Sequence, residues 1–229
     1  LNILVTAGPT REAIDPVRFL SNRSSGKMGY AIAAAFSEEG HRVLLVSGPT
    51  ALDVPCGVDF LPVESAAEMH DAVSRHIGRM EVAVFAAAVA DYRPALAATG
   101  KIKKTEETLT LELVRTPDIL GAARGEFAFK GTLVGFAAET RDLLSNARAK
   151  LVRKGCDLVV ANDVSQPGIG FDSDRNAVSL VYPDRVETLA EDDKPHLARH
   201  LYRAILEISL SRLDQPEQPI PRSTSHDRP

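Results

Sequence analysis

Apolar residues enter this chain in short unbroken runs. Asn2–Ala7 (NILVTA), Arg42–Ser47 (RVLLVS), Val82–Val89, Thr132–Ala138 and Asp157–Ala161 lack polar alternation, the pattern of strands covered on both faces in a parallel sheet. The first two runs end in the same punctuation, Gly8-Pro9-Thr10 and Gly48-Pro49-Thr50, which turn chemistry explains. Helical spacing fills the intervals. Lys27–Gly40 sets Met28, Ile32, Ala35 and Phe36 on one face with Gly40 in the C′ position, and further helices are expected over Ser65–Gly78, Asp142–Lys154 and Lys194–Leu210. Strands alternating with helices predict an α/β, Rossmann-like, doubly wound and mainly parallel sheet with helices on both faces. Two segments, Lys103–Arg115 and Asn176–Thr188, alternate apolar with polar residues, and are expected to form a small antiparallel excursion, the second turning at Pro183-Asp184. Residues 1–210 form the expected domain; residues 211–229, proline-rich and without apolar periodicity, are expected to be a disordered tail.

Composition narrows the function classes. The 229 residues carry 27 Lys+Arg against 31 Asp+Glu, a formal charge of −4, which provides no general attraction for nucleic acid or an anionic membrane but leaves room for one basic pocket. No run approaches the ~20 apolar residues that span a bilayer, and no signal-peptide pattern opens the chain. Two separated cysteines, Cys56 and Cys156, make neither a disulfide framework nor a thiolate zinc site. A cytoplasmic location is expected. The chain begins with Leu1, so either a start codon has been read literally or a piece of a longer polypeptide is expected.

Chemistry concentrates after the strands. Residues 6–29 (TAGPTREAIDPVRFLSNRSSGKMG) join the first strand to the first helix, through a connection far longer than the usual few residues. Its end, Ser24-Ser25-Gly26-Lys27, has two readings: an anion site of free amides, hydroxyls and a cation at a helix N-terminus, or a serine N-cap with an incidental lysine. The run is not a Walker A loop, since Met28 follows the lysine and Ser21 stands where the first glycine belongs, and no G-x-G-x-x-G follows the first strand. Ala86-Ala87-Ala88 ends the third run with small residues that let backbone approach a flat ligand or merely pack under a helix, and Asp91 follows at the mouth of the crevice, able to hold Mg²⁺ through oxygen or to cap a turn. Lys101-Ile102-Lys103-Lys104 is a cationic cluster or a solvated face. Thr116-Pro117-Asp118 reads as a helix start, with Thr116 as N-cap and Pro117 at N1. Lys150 and Lys154, four apart, share a helix face and can reach one polyanion or simply meet solvent. There is no paired-histidine zinc motif and no G-x-S-x-G elbow.

Together these motifs resemble the phosphopantothenoylcysteine synthetase family of coenzyme A biosynthesis, in its bacterial form. The resemblance covers residues 3–209 and rests on residues 6–31, AAAVADYRP (86–94), KIKK (101–104), VRTPDIL (114–120), VGFAAET (134–140), KLVRKGCDLVVAND (150–163) and GFDSDRNAV (170–178), in the family's order. Asp172 stands where the family often has glycine. The resemblance implies a ligase that activates 4′-phosphopantothenate with CTP as an acyl-cytidylate and captures it with L-cysteine, releasing pyrophosphate and CMP, with Mg²⁺ as cofactor. Carried over by position, it implies Asn22 and Lys101 as catalytic residues, the asparagine for the acyl oxyanion and the lysine for nucleotide transfer. Asp91 matches a CTP-site aspartate and is the candidate metal contact. Gly8, Pro117, Asp118, Ile119, Leu120, Phe136, Lys150 and Lys154 match other nucleotide-site positions. The Ala86–Ala88 backbone, Ala87 and Ala88 above all, is expected to read cytosine, and Ser24, Ser25, Gly26 and Lys27 to hold a phosphate, on CTP or on phosphopantothenate. A homodimer is implied, and many bacterial relatives carry a flavin-dependent decarboxylase domain in the same chain. Two other classes stand beside this reading: a divergent NAD(P)-dependent reductase on the same kind of sheet, and a nucleotide-binding module without turnover.

Overall fold

The apolar runs lie side by side, as strands with two buried faces must. The computed structural model describes residues 1–104, 107–139, 142–163 and 173–213. In chain order the strands are β1 (Asn2–Ala7), β2 (Arg11–Ala13), β3 (Phe19–Ser21), β4 (Arg42–Ser47), β5 (Val58–Pro62), β6 (Val82–Phe85), β7 (Tyr92–Pro94), β8 (Leu113–Arg115), β9 (Thr132–Glu139), β10 (Leu158–Asp163), β11 (Arg175–Val181) and β12 (Val186–Asp193). The helices are α1 (Lys27–Glu38), α2 (Ala66–His76), α3 (Ile119–Ala122), α4 (Leu143–Lys154) and α5 (Lys194–Leu213).

One eight-stranded sheet has the order β12-β11-β10-β9-β6-β1-β4-β5. Its six parallel strands, numbered along the chain, run 3-2-1-4-5-6, so the order reverses between β1 and β6. Ligand crevices open beyond the carboxyl ends of the strands at such a reversal. Period-two alternation sends Ile3, Val5 and Ala7 of β1 to one face, against Ile32 and Phe36 of α1 and Leu197 and Leu201 of α5. Leu4 joins the opposite face with Met69 and Val73 of α2, Ile119 of α3 and Leu151 of α4. All these side chains are buried, which is why the runs show no polar alternation.

The expected excursion at Asn176–Thr188 is an antiparallel hairpin, β11–β12, continuing the sheet from β10. The expectation for Lys103–Arg115 needs correction. Among its described residues only Leu113–Arg115 forms a strand, and it pairs with Tyr92–Pro94 rather than within its own segment. The alternating residues 107–111 are mostly exposed, with no packed face to hold them in a sheet. Helix α5 runs to Leu213, three residues into the expected tail; residues 214–229 of that tail, and Asp172, lie outside the described residues. Also not expected were the edge strand β5, the short strand β7, and a small hairpin, β2–β3, inside the long connection.

Candidate active site

The long connection begins at Gly8, turns twice and ends at α1. Gly8 and Gly26 both have left-handed backbones, φ 71° and 79°, which glycine adopts without Cβ strain. They also touch: a Cβ on Gly26 would come within 3.2 Å of the Gly8 Cα. This contact presses the start of α1 onto the turn after β1. The N-cap of α1 is Gly26, with no side-chain cap. Ser24 Oγ accepts from the Gly26 amide at 3.3 Å, so neither serine is the N-cap that one sequence reading expected. A helix whose first amides lack a side-chain acceptor presents positive charge to whatever lies before it.

What lies before it is a cavity of about 480 Å³, lined by Asn22, Ser24, Ser25, Gly26 and Lys27, by Ala86–Val89 and Asp91 beyond β6, and by Phe136 and Lys150. A second cavity, of about 510 Å³, is lined by Thr116–Leu120 with Arg115, Arg153 and Lys154. Ala87, Val89, Asp91, Phe136 and Lys150 line both, so the two chambers share a wall at the strand reversal. Charged side chains along the first are Lys27, Lys150 and Lys194 against Asp91; along the second, Arg115, Lys150, Arg153 and Lys154 against Asp91 and Asp118. In a chain of net charge −4, this crevice is locally basic and suited to a polyanion.

Backbone pairing fixes its floor. Pro9 and Ala88 form a parallel bridge, Ala88 donates its amide to Gly8 O at 2.9 Å, and Thr10 donates to Ala88 O at 3.2 Å. Asn22 Nδ2 donates to the same carbonyl at 2.8 Å. The amides of Ala86 and Ala87 are given to Thr6 O and Thr6 Oγ1. Thus the small residues do bring backbone to the cavity wall, but their three amides are spent inside the protein.

Among the cations, Lys27 is paired with Asp174 at 2.6 Å, and that hydrogen bond and charge hold the exposed Asp174 carboxyl below its ordinary range. Lys150 Nζ donates to Phe136 O at 2.5 Å. Lys154 pairs with Asp118. Burial pushes the Asp118 carboxyl upward, yet Lys154's hydrogen bond and charge, with the Gly121 amide, bring it below its usual value. Lys150 and Lys154 therefore face the chambers rather than bulk solvent. Asp118, not Thr116, caps α3, accepting from Gly121 N at 2.9 Å. This corrects the expected Thr116 N-cap and Pro117 N1: the Thr116 hydroxyl donates instead to Ala90 O, at 2.5 Å, which ties that turn to the end of the third run.

Lys101 is exposed and lines neither chamber. Gly8 likewise supports the site from behind. The sequence reading missed Asn162, Asn176 and Lys194, all buried and lining the first chamber, and Arg115 and Arg153 in the second. Asn162 had a signal, since Val160-Ala161-Asn162 repeats the small-then-polar ending of the third run. Its Oδ1 is buried with no hydrogen-bond partner, a state that normally calls for a ligand, ion or water.

Residues 1–208 match the family model described as the DNA/pantothenate metabolism flavoprotein C-terminal domain. The chain is 46% identical over 207 residues to the coenzyme A biosynthesis bifunctional protein CoaBC of Vibrio cholerae, covering 90% of this chain and 52% of that protein. It is 50% identical over 184 residues to the protein of that name from Bacillus subtilis, covering 80% and 45%. The chain thus spans about half the length of these curated relatives. A crystal structure of the C-terminal domain of a CoaBC protein superposes with a TM-score of 0.77 at 42% identity, covering 93% of this chain and 96% of that one. These findings bear out the resemblance drawn from the motifs. No helix among the described residues is long and apolar enough to cross a membrane.

Proposed function

The chain belongs to the DNA/pantothenate metabolism flavoprotein C-terminal domain family, and on that footing we propose that its crevice is the active site of a CTP-dependent phosphopantothenate–cysteine ligase. The carboxylate of 4′-phosphopantothenate attacks the α-phosphorus of CTP; an acyl–phosphate bond forms and pyrophosphate leaves. The amine of L-cysteine then attacks the acyl carbon, the amide bond forms, and CMP leaves with the former carboxylate oxygen. A carboxylate is a poor acyl donor at neutral pH, so the mixed anhydride supplies the missing leaving group.

The observation that carries the reading is the pair of adjoining basic chambers, each of a size for one substrate, with Asn22 and Asp91 along them. An NH₂ group has two hydrogens. Ala88 O takes one from Asn22, which orients the carboxamide, and the other is the donor proposed for the oxyanion during cysteine attack. Lys27, Lys150 and Lys154 neutralise phosphate charge, and Lys101 is the cation for nucleotidyl transfer. Lys101 lines neither chamber, so this role requires its approach to bound CTP. Asp91 and the Asn162 Oδ1 are hard oxygen donors on the first chamber, a set that fits Mg²⁺, which takes few protein ligands beside phosphate oxygens. When bound there, the ion neutralises triphosphate charge. A homodimer, a decarboxylase domain in the same polypeptide and a cytoplasmic setting belong to the same proposal.

A coupled assay decides it. Purified protein with phosphopantothenate, cysteine, Mg²⁺ and CTP should release pyrophosphate, and ATP should substitute poorly. Thermal shift adds an independent arm, in which CTP with Mg²⁺ raises the melting temperature and NADPH does not. Binding of CTP without cleavage would mark a sensor, and stabilisation by NADPH alone a reductase.

A further inference from the structure

Asp15 lies at the tip of the β2–β3 hairpin, with its side chain fully buried. Its Oδ1 accepts the backbone amides of Val17 and Arg18, each at 2.8 Å. Its Oδ2 accepts from the Arg18 guanidinium and, across 87 residues of sequence, from the Ile102 amide at 3.1 Å. Arg18 Nη2 in turn donates to Ile102 O at 3.0 Å, and Ala98 donates its amide to Ile14 O at 2.9 Å. Three hydrogen bonds therefore moor residues 98–102 to residues 14–18. Two of them grip Ile102, the residue after Lys101, on both its amide and its carbonyl. The last strand residue of the same hairpin, Ser21, donates to Thr10 O at 2.7 Å and is followed at once by Asn22.

We infer that Asp15 is a positioning residue for Lys101: it fixes the backbone pivot from which the lysine swings, and it does so on the hairpin that carries Asn22. The physical logic is specific to this carboxylate. Arg18 alone could grip the Ile102 carbonyl, but only an acceptor at the hairpin tip can take the Ile102 amide, and a carboxylate can take that amide while still satisfying Arg18 and two backbone donors. With the pivot fixed, the ammonium searches a small volume; with it released, the lysine pays the entropy of a free loop each time nucleotidyl transfer needs it.

The inference rests on the role proposed for Lys101, and the test separates the two. Asp15→Asn and, as a variant that leaves the hairpin chemistry untouched, Ile102→Pro both remove the amide–carboxylate bond. Each should slow pyrophosphate release by about 10- to 100-fold, the scale of a misplaced catalytic group, while cysteine capture of pre-formed acyl-cytidylate keeps its wild-type rate. Trypsin should also cut after Lys101 faster in Asp15→Asn than in the wild type. Equal losses in both half-reactions would mean damage to the whole fold and overturn the inference, as would wild-type or faster pyrophosphate release in both variants. If Lys101→Gln itself leaves pyrophosphate release intact, the role of Lys101 falls; if Lys101→Gln is inactive but the two mooring variants are not, only the role of Asp15 falls.

Discussion

Asn22 and Ala88 are 66 positions apart in sequence, yet the Asn22 carboxamide donates to the Ala88 carbonyl at 2.8 Å. The bond ties the connection after β1 to the backbone beyond β6, across the line where the sheet order reverses. It fixes the orientation of the carboxamide on the wall of the first chamber.

Asn22→Asp should separate the two half-reactions. A carboxylate has no N–H for Ala88 or for an oxyanion, and it repels both. Pyrophosphate release should persist while amide formation falls about 100-fold or more, the cost of one lost oxyanion donor. Quenched-flow analysis should then find acyl-cytidylate accumulating. Wild-type amide formation would remove Asn22 from catalysis.

Lys101→Gln should act earlier. Loss of its cation should lower the first half-reaction about 100- to 1,000-fold, with no acyl-cytidylate detected. CTP affinity, read by calorimetry, should change far less, because Lys27, Lys150 and Lys154 remain.

Gly8→Ala tests the scaffold behind the site. With φ at 71° and Gly48 O 2.8 Å from where a Cβ would sit, alanine meets both left-handed strain and a backbone clash. Denaturant melts should show a loss of about 2 kcal/mol or more.

Asp15 gives the fold an acid-sensitive joint. The Arg18 hydrogen bond, joined by the amides of Val17, Ile102 and Arg18 and opposed by burial, holds its carboxyl far below the ordinary carboxylate value. A depressed folded value adds stability that is complete above the unfolded pKa, near 4, and is lost as pH falls toward the folded value. The stability gap between wild type and Asp15→Asn should therefore be constant from neutral pH to about pH 5 and shrink progressively below about pH 4. A gap that widens in acid would contradict this.

The two cysteines should react differently. Burial raises the Cys156 thiol to about 11, so little thiolate forms at pH 8, whereas Cys56 is exposed. Thiol titration of the native protein should find one reactive group, and two after denaturation.

The sequence by itself determined the layers of this protein. Strands buried on both faces must be apolar throughout, so β1 and β4 were read to their end residues. Helices with one buried stripe were read nearly as well, with Gly40 following the C-cap of α1 at φ 81°. The motifs that carry the family resemblance were equally legible, because Asn22, Ser24–Lys27 and Asp91 sit in short contiguous runs. The edge strand β5 was not, since most of its side chains are exposed and its strand state comes from pairing with β4.

Only the tertiary structure decided which residues meet. Asn162, Asn176 and Lys194 come from three separate elements and converge because β10 ends, and β11 and α5 begin, beside the same chamber. The Asp15–Ile102 bond and the Gly26 cap likewise leave no mark in local sequence. Burial periodicity is a property of each segment and is written in its residues. A site at a strand reversal is a property of chain crossings, and hydrogen bonds between residues dozens of positions apart exist only once those crossings are made.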